Sequence, residues 1–110
     1  MNKERLKKLE SIALELVSWF LFEEVREIEE DFWLINVLWV KISTDISYLD
    51  IYVSSFKNYD ILTKTLAKYA PEMNRKLHKK LNIRKLPKIR FRYDKGWEIS
   101  ESILKTINNL

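Results

Sequence analysis

The chain of 110 residues has no cysteine, one glycine and two prolines. Without cysteine there is no disulfide, no thiolate zinc centre and no cysteine nucleophile, which suits a reducing, cytoplasmic setting. With Gly96 as the sole glycine, every phosphate cradle built on two or more glycines is excluded: P-loop, dinucleotide fingerprint and Gly-x-x-Gly clamp alike. No stretch reaches the ~20 apolar residues that span a bilayer. The opening Met1-Asn2-Lys3-Glu4-Arg5 leads into residues broken by Glu10 and Glu15, unlike the apolar core of a secretory signal. The only histidine, His78, lies between Leu77 and Lys79 and reads as a surface residue, so histidine-based catalysis has little support.

What is present is a hydrophobic share of 46% and a charged share of 33%, enough for one domain over residues 1–110 with one core. The charge is unevenly placed. Between Arg75 and Arg92 stand nine of the 20 Lys and Arg residues and no Asp or Glu; that segment carries +9 in a chain of +4, leaving −5 elsewhere. A solvated helix face followed by a charged edge strand would give such a run. Because it crosses more than one element without acidic relief, a surface for a polyanion is the better expectation.

Leu6, Leu9, Ile12, Ala13, Leu16, Val17 and Phe20 recur at spacings of three and four and predict a helix from Lys3 to about Glu24. Trp19, Leu21 and Phe22 widen the stripe and read as further core contact. Glu23, Glu24, Glu27, Glu29, Glu30 and Asp31 form an acidic, solvated and partly helical segment that lacks the ligand spacing and central glycine of a calcium loop; no metal is expected. Ile35 to Ser43 predicts a strand with Ile35, Val37, Trp39 and Lys41 on one side and Leu38, Val40 and Ile42 on the other. After the turn Thr44-Asp45-Ile46-Ser47, Leu49, Ile51 and Val53 alternate with Asp50, Tyr52 and Ser54 in a second strand. A helix starting at Asn58 or Asp60 should break at Ala70-Pro71, and a second helix should start there. Leu86-Pro87 forces an extended exit. Ile89, Phe91 and Tyr93 then alternate with Lys88, Arg90 and Arg92 in a third strand, and Trp97, Ile99, Ile103, Leu104 and Ile107 predict a closing helix. A small sheet with helices on one side buries these stripes.

The run Val40-Lys41-Ile42-Ser43-Thr44-Asp45-Ile46 followed by Ile51-Tyr52-Val53-Ser54 resembles the ribosome-binding factor A family of bacteria. So, more specifically, do Leu77, Leu81, Ile83-Arg84, Pro87, Ile89, Phe91 and Tyr93-Asp94. The resemblance implies an α+β, type II KH-like domain of order α-β-β-α-(kink)-α-β-α. Its three-stranded sheet would be packed on one face by helices, with Ala70 and Pro71 at a helix kink in place of a Gly-x-x-Gly loop. Ser43, Asp45, Pro87 and Asp94 would be structural positions of that family. Departures are Pro71 where the family usually has glycine, Asn74 where a basic residue is usual, and Lys95-Gly96 where a serine follows the aspartate. By resemblance the chain is no enzyme and takes no cofactor. It would act as a cytoplasmic, monomeric ribosome biogenesis factor that binds the free small (30S) ribosomal subunit and its 16S ribosomal RNA. There it would assist late maturation and processing of that RNA, with neither membrane nor small-molecule substrate involved.

Arg75, Lys76, Lys79, Lys80, Arg84, Lys85, Lys88, Arg90 and Arg92 are the expected RNA contacts, pairing with phosphates. Arg84, Arg90 and Arg92 could also stack on unpaired bases. Arg5, Lys7 and Lys8 rank lower, since lysine-rich helix starts are common. Tyr52 and Trp39 could stack on bases from an outward sheet face, but core packing or a filled sheet surface is the stronger expectation. Two rivals compete: a metal-dependent enzyme using Asp45, Asp50 and Asp94, and a generic KH-like RNA-binding or protein-protein adaptor module with acidic and basic partners.

Overall fold

Burial of one stripe per element accounts for the chain's path in the computed structural model, which describes residues 3–85 and 87–94. Helix α1 (Lys3–Glu24) buries Leu9, Ala13, Val17, Phe20 and Leu21, as its period requires. Trp19 and Phe22, expected in the core, instead remain exposed on its outer side, their rings 6.0 Å apart. The acidic segment, expected to be solvated and partly helical, folds into a short helix, α2 (Arg26–Phe32). Val25, Ile28 and Phe32 fall on one side of that stretch and meet the core.

Strands β1 (Asn36–Ile42), β2 (Tyr48–Ser54) and β3 (Lys88–Tyr93) form a sheet in that order, with β1–β2 antiparallel and β2–β3 parallel. Parallel pairing needs a long crossover. Helices α3 (Tyr59–Ala67) and α4 (Ala70–Leu81) supply it and, with α1, cover one side of the sheet. Leu49, Ile51 and Val53 of the central strand are fully buried beneath them. The α+β class and KH-like arrangement expected from the sequence are therefore observed, and the predicted closing helix from Trp97 to Ile107 lies outside the described residues.

Register in β1 departs from simple alternation. Val37 pairs with Val53 and Trp39 with Tyr52, so Leu38 is an extra residue, a β-bulge. Ile35 and Val37 thus join the core while Trp39 and Lys41 turn outward, splitting a set that strict alternation would keep together.

The interruption between α3 and α4 falls at Lys68 and Tyr69, slightly earlier than expected. Tyr69 N–H donates to the Leu66 carbonyl at 2.9 Å. Ala70 and Pro71 open α4, where a missing N–H costs no helical hydrogen bond. Tyr69 also donates its hydroxyl to Glu27 Oε1 at 2.8 Å, and Asn58 Nδ2 donates to the Asp31 carbonyl at 2.7 Å, so α2 is tied to both ends of α3. Asn74 Nδ2 donates to the Pro87 carbonyl at 3.1 Å, joining α4 to the entrance of β3.

Ser43 and Asp45 build the β1–β2 turn. Asp45 Oδ1 accepts from Ser43 Oγ at 2.9 Å and from the Ser47 N–H at 3.1 Å, while Ser43 Oγ accepts from the Tyr48 N–H at 3.0 Å. These bonds hold Ile46 at φ 59°, a region that β-branched residues avoid, and Ile46 packs against the core. The Ser47 and Ser43 donors stabilise the ionised Asp45 and lower its carboxyl from 3.8 to about 2. Its contribution to stability is therefore present above pH 3.8 and is lost as pH falls toward 2. Asp45→Asn should flatten that part of the acid-unfolding curve followed by circular dichroism. An unchanged curve would show that Asp45 does not carry it.

Candidate nucleic-acid interface

The cations from Arg75 to Arg92 do not share one face. On α4, Met73, Leu77 and Leu81 point into the core, so Arg75, Lys76, Lys79 and Lys80 project from the helical side of the molecule. On β3, Ile89, Phe91 and Tyr93 pack against that same core, so Lys88, Arg90 and Arg92 project from the opposite side of the sheet. Arg84 and Lys85 are exposed in the loop joining α4 to β3 and bridge the two sides around one end. The one surface expected for a polyanion is thereby corrected to a band that wraps an edge, because helix and strand approach one core from opposite directions.

Acidic relief, missing in the linear run, arrives from elsewhere in the chain. Lys76 Nζ lies 2.6 Å from Glu24 Oε1 on α1, and Arg75 pairs loosely with Glu72 at 3.8 Å. Asp50 on β2 is the strand partner of Arg90 and accepts from its Nε at 2.6 Å and its Nη2 at 3.0 Å, while Arg92 Nε approaches at 3.4 Å. The Arg90 bond holds the Asp50 carboxyl below its usual range. Arg90 also lies over the Tyr48 ring, 3.9 Å from its centroid. It is thus largely committed within the protein. Lys85 Nζ donates to Ser47 Oγ at 3.2 Å. Lys79, Lys80, Arg84 and Lys88 are exposed and have no carboxylate within 4 Å among the described residues.

Two further features bear on this band. Glu24 meets Lys76, whereas Ile12 and Leu16 line a groove with Lys80, so α1 runs antiparallel to α4. Its first turns, carrying Arg5, Lys7 and Lys8, therefore extend toward the Arg84 end. The other feature is aromatic: Trp39 and Tyr52 lie on the outward sheet face with rings stacked 3.8 Å apart, the filled sheet surface expected as one of their ordinary roles. Asp94 accepts from the Trp39 indole Nε1 at 3.0 Å.

A converging carboxylate site is not formed. Asp45 is held in the turn, Asp50 by arginine and Asp94 by tryptophan, and no cluster able to hold a metal ion occurs among the described residues.

The chain is similar to known proteins in sequence and in fold. A family model described as ribosome-binding factor A matches residues 5–107. Ribosome-binding factor A of Mycoplasmopsis pulmonis is 30% identical, over 97% of this chain and 96% of that protein. The crystal structure of ribosome-binding factor A from Thermus thermophilus superposes with a TM-score of 0.66 at 24% identity, covering 80% of this chain and 94% of that one. A Thermus thermophilus ribosome binding factor A fitted into a map of its 30S complex gives 0.63 at 22% identity, covering 77% and 90%.

Asp50→Asn should release Arg90 and Arg92. The pair is partly solvated, with Asp50 at 14% and Arg90 at 37% side-chain exposure, so a stability loss of about 1 kcal/mol is expected in urea unfolding. The same variant should elute from a phosphocellulose column at higher salt than the parent. Elution at equal or lower salt would show that Asp50 does not mask these cations.

Proposed function

This chain belongs to the ribosome-binding factor A family, and from that premise we propose that it binds the free small ribosomal subunit and contacts its RNA through those cations of the band that have no carboxylate partner among the described residues. On this reading it acts in late subunit maturation and assists RNA processing by binding, not by catalysis. The observation that carries the proposal is the set Lys79, Lys80, Arg84 and Lys88, exposed side chains without internal counter-charges among the described residues. Such groups gain most from phosphate, because pairing releases condensed counterions and breaks no internal ion pair. A Thermus thermophilus relative of the same fold has been fitted into a 30S complex, which supports the same partner here.

A band wrapped around an edge suits a structured RNA. It can meet phosphates on two sides of a cleft and fix position without reading sequence. Lysine contributes as a point charge, while Arg84 can pair bidentately or stack.

Arg90 is better left intact in any test, since Arg90→Glu would set a carboxylate against Asp50. The protein should co-sediment with isolated small subunits at low salt and not with full ribosomes. Lys79→Ala and Lys80→Ala should each weaken binding and reduce its salt slope by about one. Failure of the parent protein to sediment with the small subunit would end the proposal. Binding with an unchanged salt slope in both variants would remove the α4 lysines from it.

A further inference from the structure

Phosphate pairing leaves unexplained why the outward sheet face presents a fixed, flat aromatic ring among charges. The bulge at Leu38 turns Trp39 opposite Tyr52, and the two rings are nearly parallel, 3° apart in plane. Trp39 Nε1–H is held by Asp94 Oδ2 at 3.0 Å, so the indole is fixed in both tilt and direction. Tyr52 covers one face of the indole. Trp39 nevertheless keeps 42% of its surface exposed. Arg92 is the strand partner of Tyr52, and Lys41 follows two residues along β1. The charged residues of this sheet face are Lys41, Lys88, Arg90 and Arg92 against Asp50 and Asp94, an excess of two positive charges.

An exposed π-face held before any ligand arrives, on a surface of net positive charge, matches the chemistry of an unpaired nucleotide. Every base offers a ring to stack, its phosphates want cations, and a ring already fixed loses little freedom on binding. A base inside a duplex cannot offer that ring, so the site selects single-stranded RNA. A protein partner would call for an apolar core depleted of charge, whereas charged side chains flank this ring on the sheet.

We infer that the outer face of Trp39 stacks on one unpaired base of a single-stranded RNA segment, with Lys41 and Arg92 pairing its flanking phosphates and Asp94 acting as the positioning residue. This rests on the RNA-binding reading above and adds the form of RNA that the sheet face accepts.

The test uses a labelled oligoadenylate of about ten nucleotides, the same strand in a duplex, and isolated small subunits. Trp39→Ala should weaken binding of the single strand about tenfold, within the range for loss of one stacked base. The salt slope should stay unchanged because no phosphate contact is removed. Duplex binding should match the parent, and Trp39→Phe should restore most of the single-strand affinity. Asp94→Asn, which keeps an acceptor for the indole, should bind at least as tightly as the parent, whereas Asp94→Ala should bind more weakly. If Trp39→Ala loses its cooperative thermal melt, Trp39→Leu replaces it with the same expectations. A folded variant that binds the single strand as tightly as the parent, or loses equally on duplex, overturns the inference. That result leaves the proposed function standing so long as the parent still sediments with the small subunit.

Discussion

Burial of one face of β2 is the constraint on which the rest of the molecule depends. Leu49, Ile51 and Val53 have no exposed surface, and full burial of such side chains contributes about 2 kcal/mol each. Because consecutive residues of a strand point to opposite sides, Tyr48, Asp50 and Tyr52 must face outward. A slip of one residue would drive Asp50 into the apolar core, so the register is strongly determined. The neighbouring strands follow from it: Val40 and Ile42 on β1 and Ile89 and Phe91 on β3 meet the same core, and the helices close over them.

The same constraint decides where charge accumulates. A helix and a strand that bury their apolar stripes against one core must project their cations to opposite sides, so the run from Arg75 to Arg92 becomes a band around an edge. It also places Asp50 between two arginines of β3. Arg90 is thereby made a structural cation, while Lys79, Lys80, Arg84 and Lys88 have no carboxylate within 4 Å among the described residues. The division follows from geometry, since all these residues carry the same formal charge.

Much of the fold was legible because its signals are local. The bounds of α1 follow from its three-and-four spacing, the central strand from alternation, and the entrance to β3 from Pro87. Helix α2 was legible only as a partly helical stretch, without its bounds or its buried side, because the carboxylates around Val25, Ile28 and Phe32 dominate the composition. The break before α4 was placed slightly late, since Pro71 is tolerated within the first helical turn and does not mark the preceding bend itself. Trp19 and Phe22 were assigned to the core on hydrophobicity alone, yet α1 has only one side against the sheet and α4.

By itself the sequence determined the class of the fold, the order of most elements, the lack of any multi-glycine phosphate cradle and the excess of cations in one segment. These depend on residue type and short spacing. Tertiary structure alone decided which cations are free, because the partner of Arg90 lies 40 residues away on a parallel strand. It alone decided that Trp39 faces outward while Val37 faces inward. An extra residue in β1 reverses the alternation, and its place is set by how that strand pairs with β2 over the core.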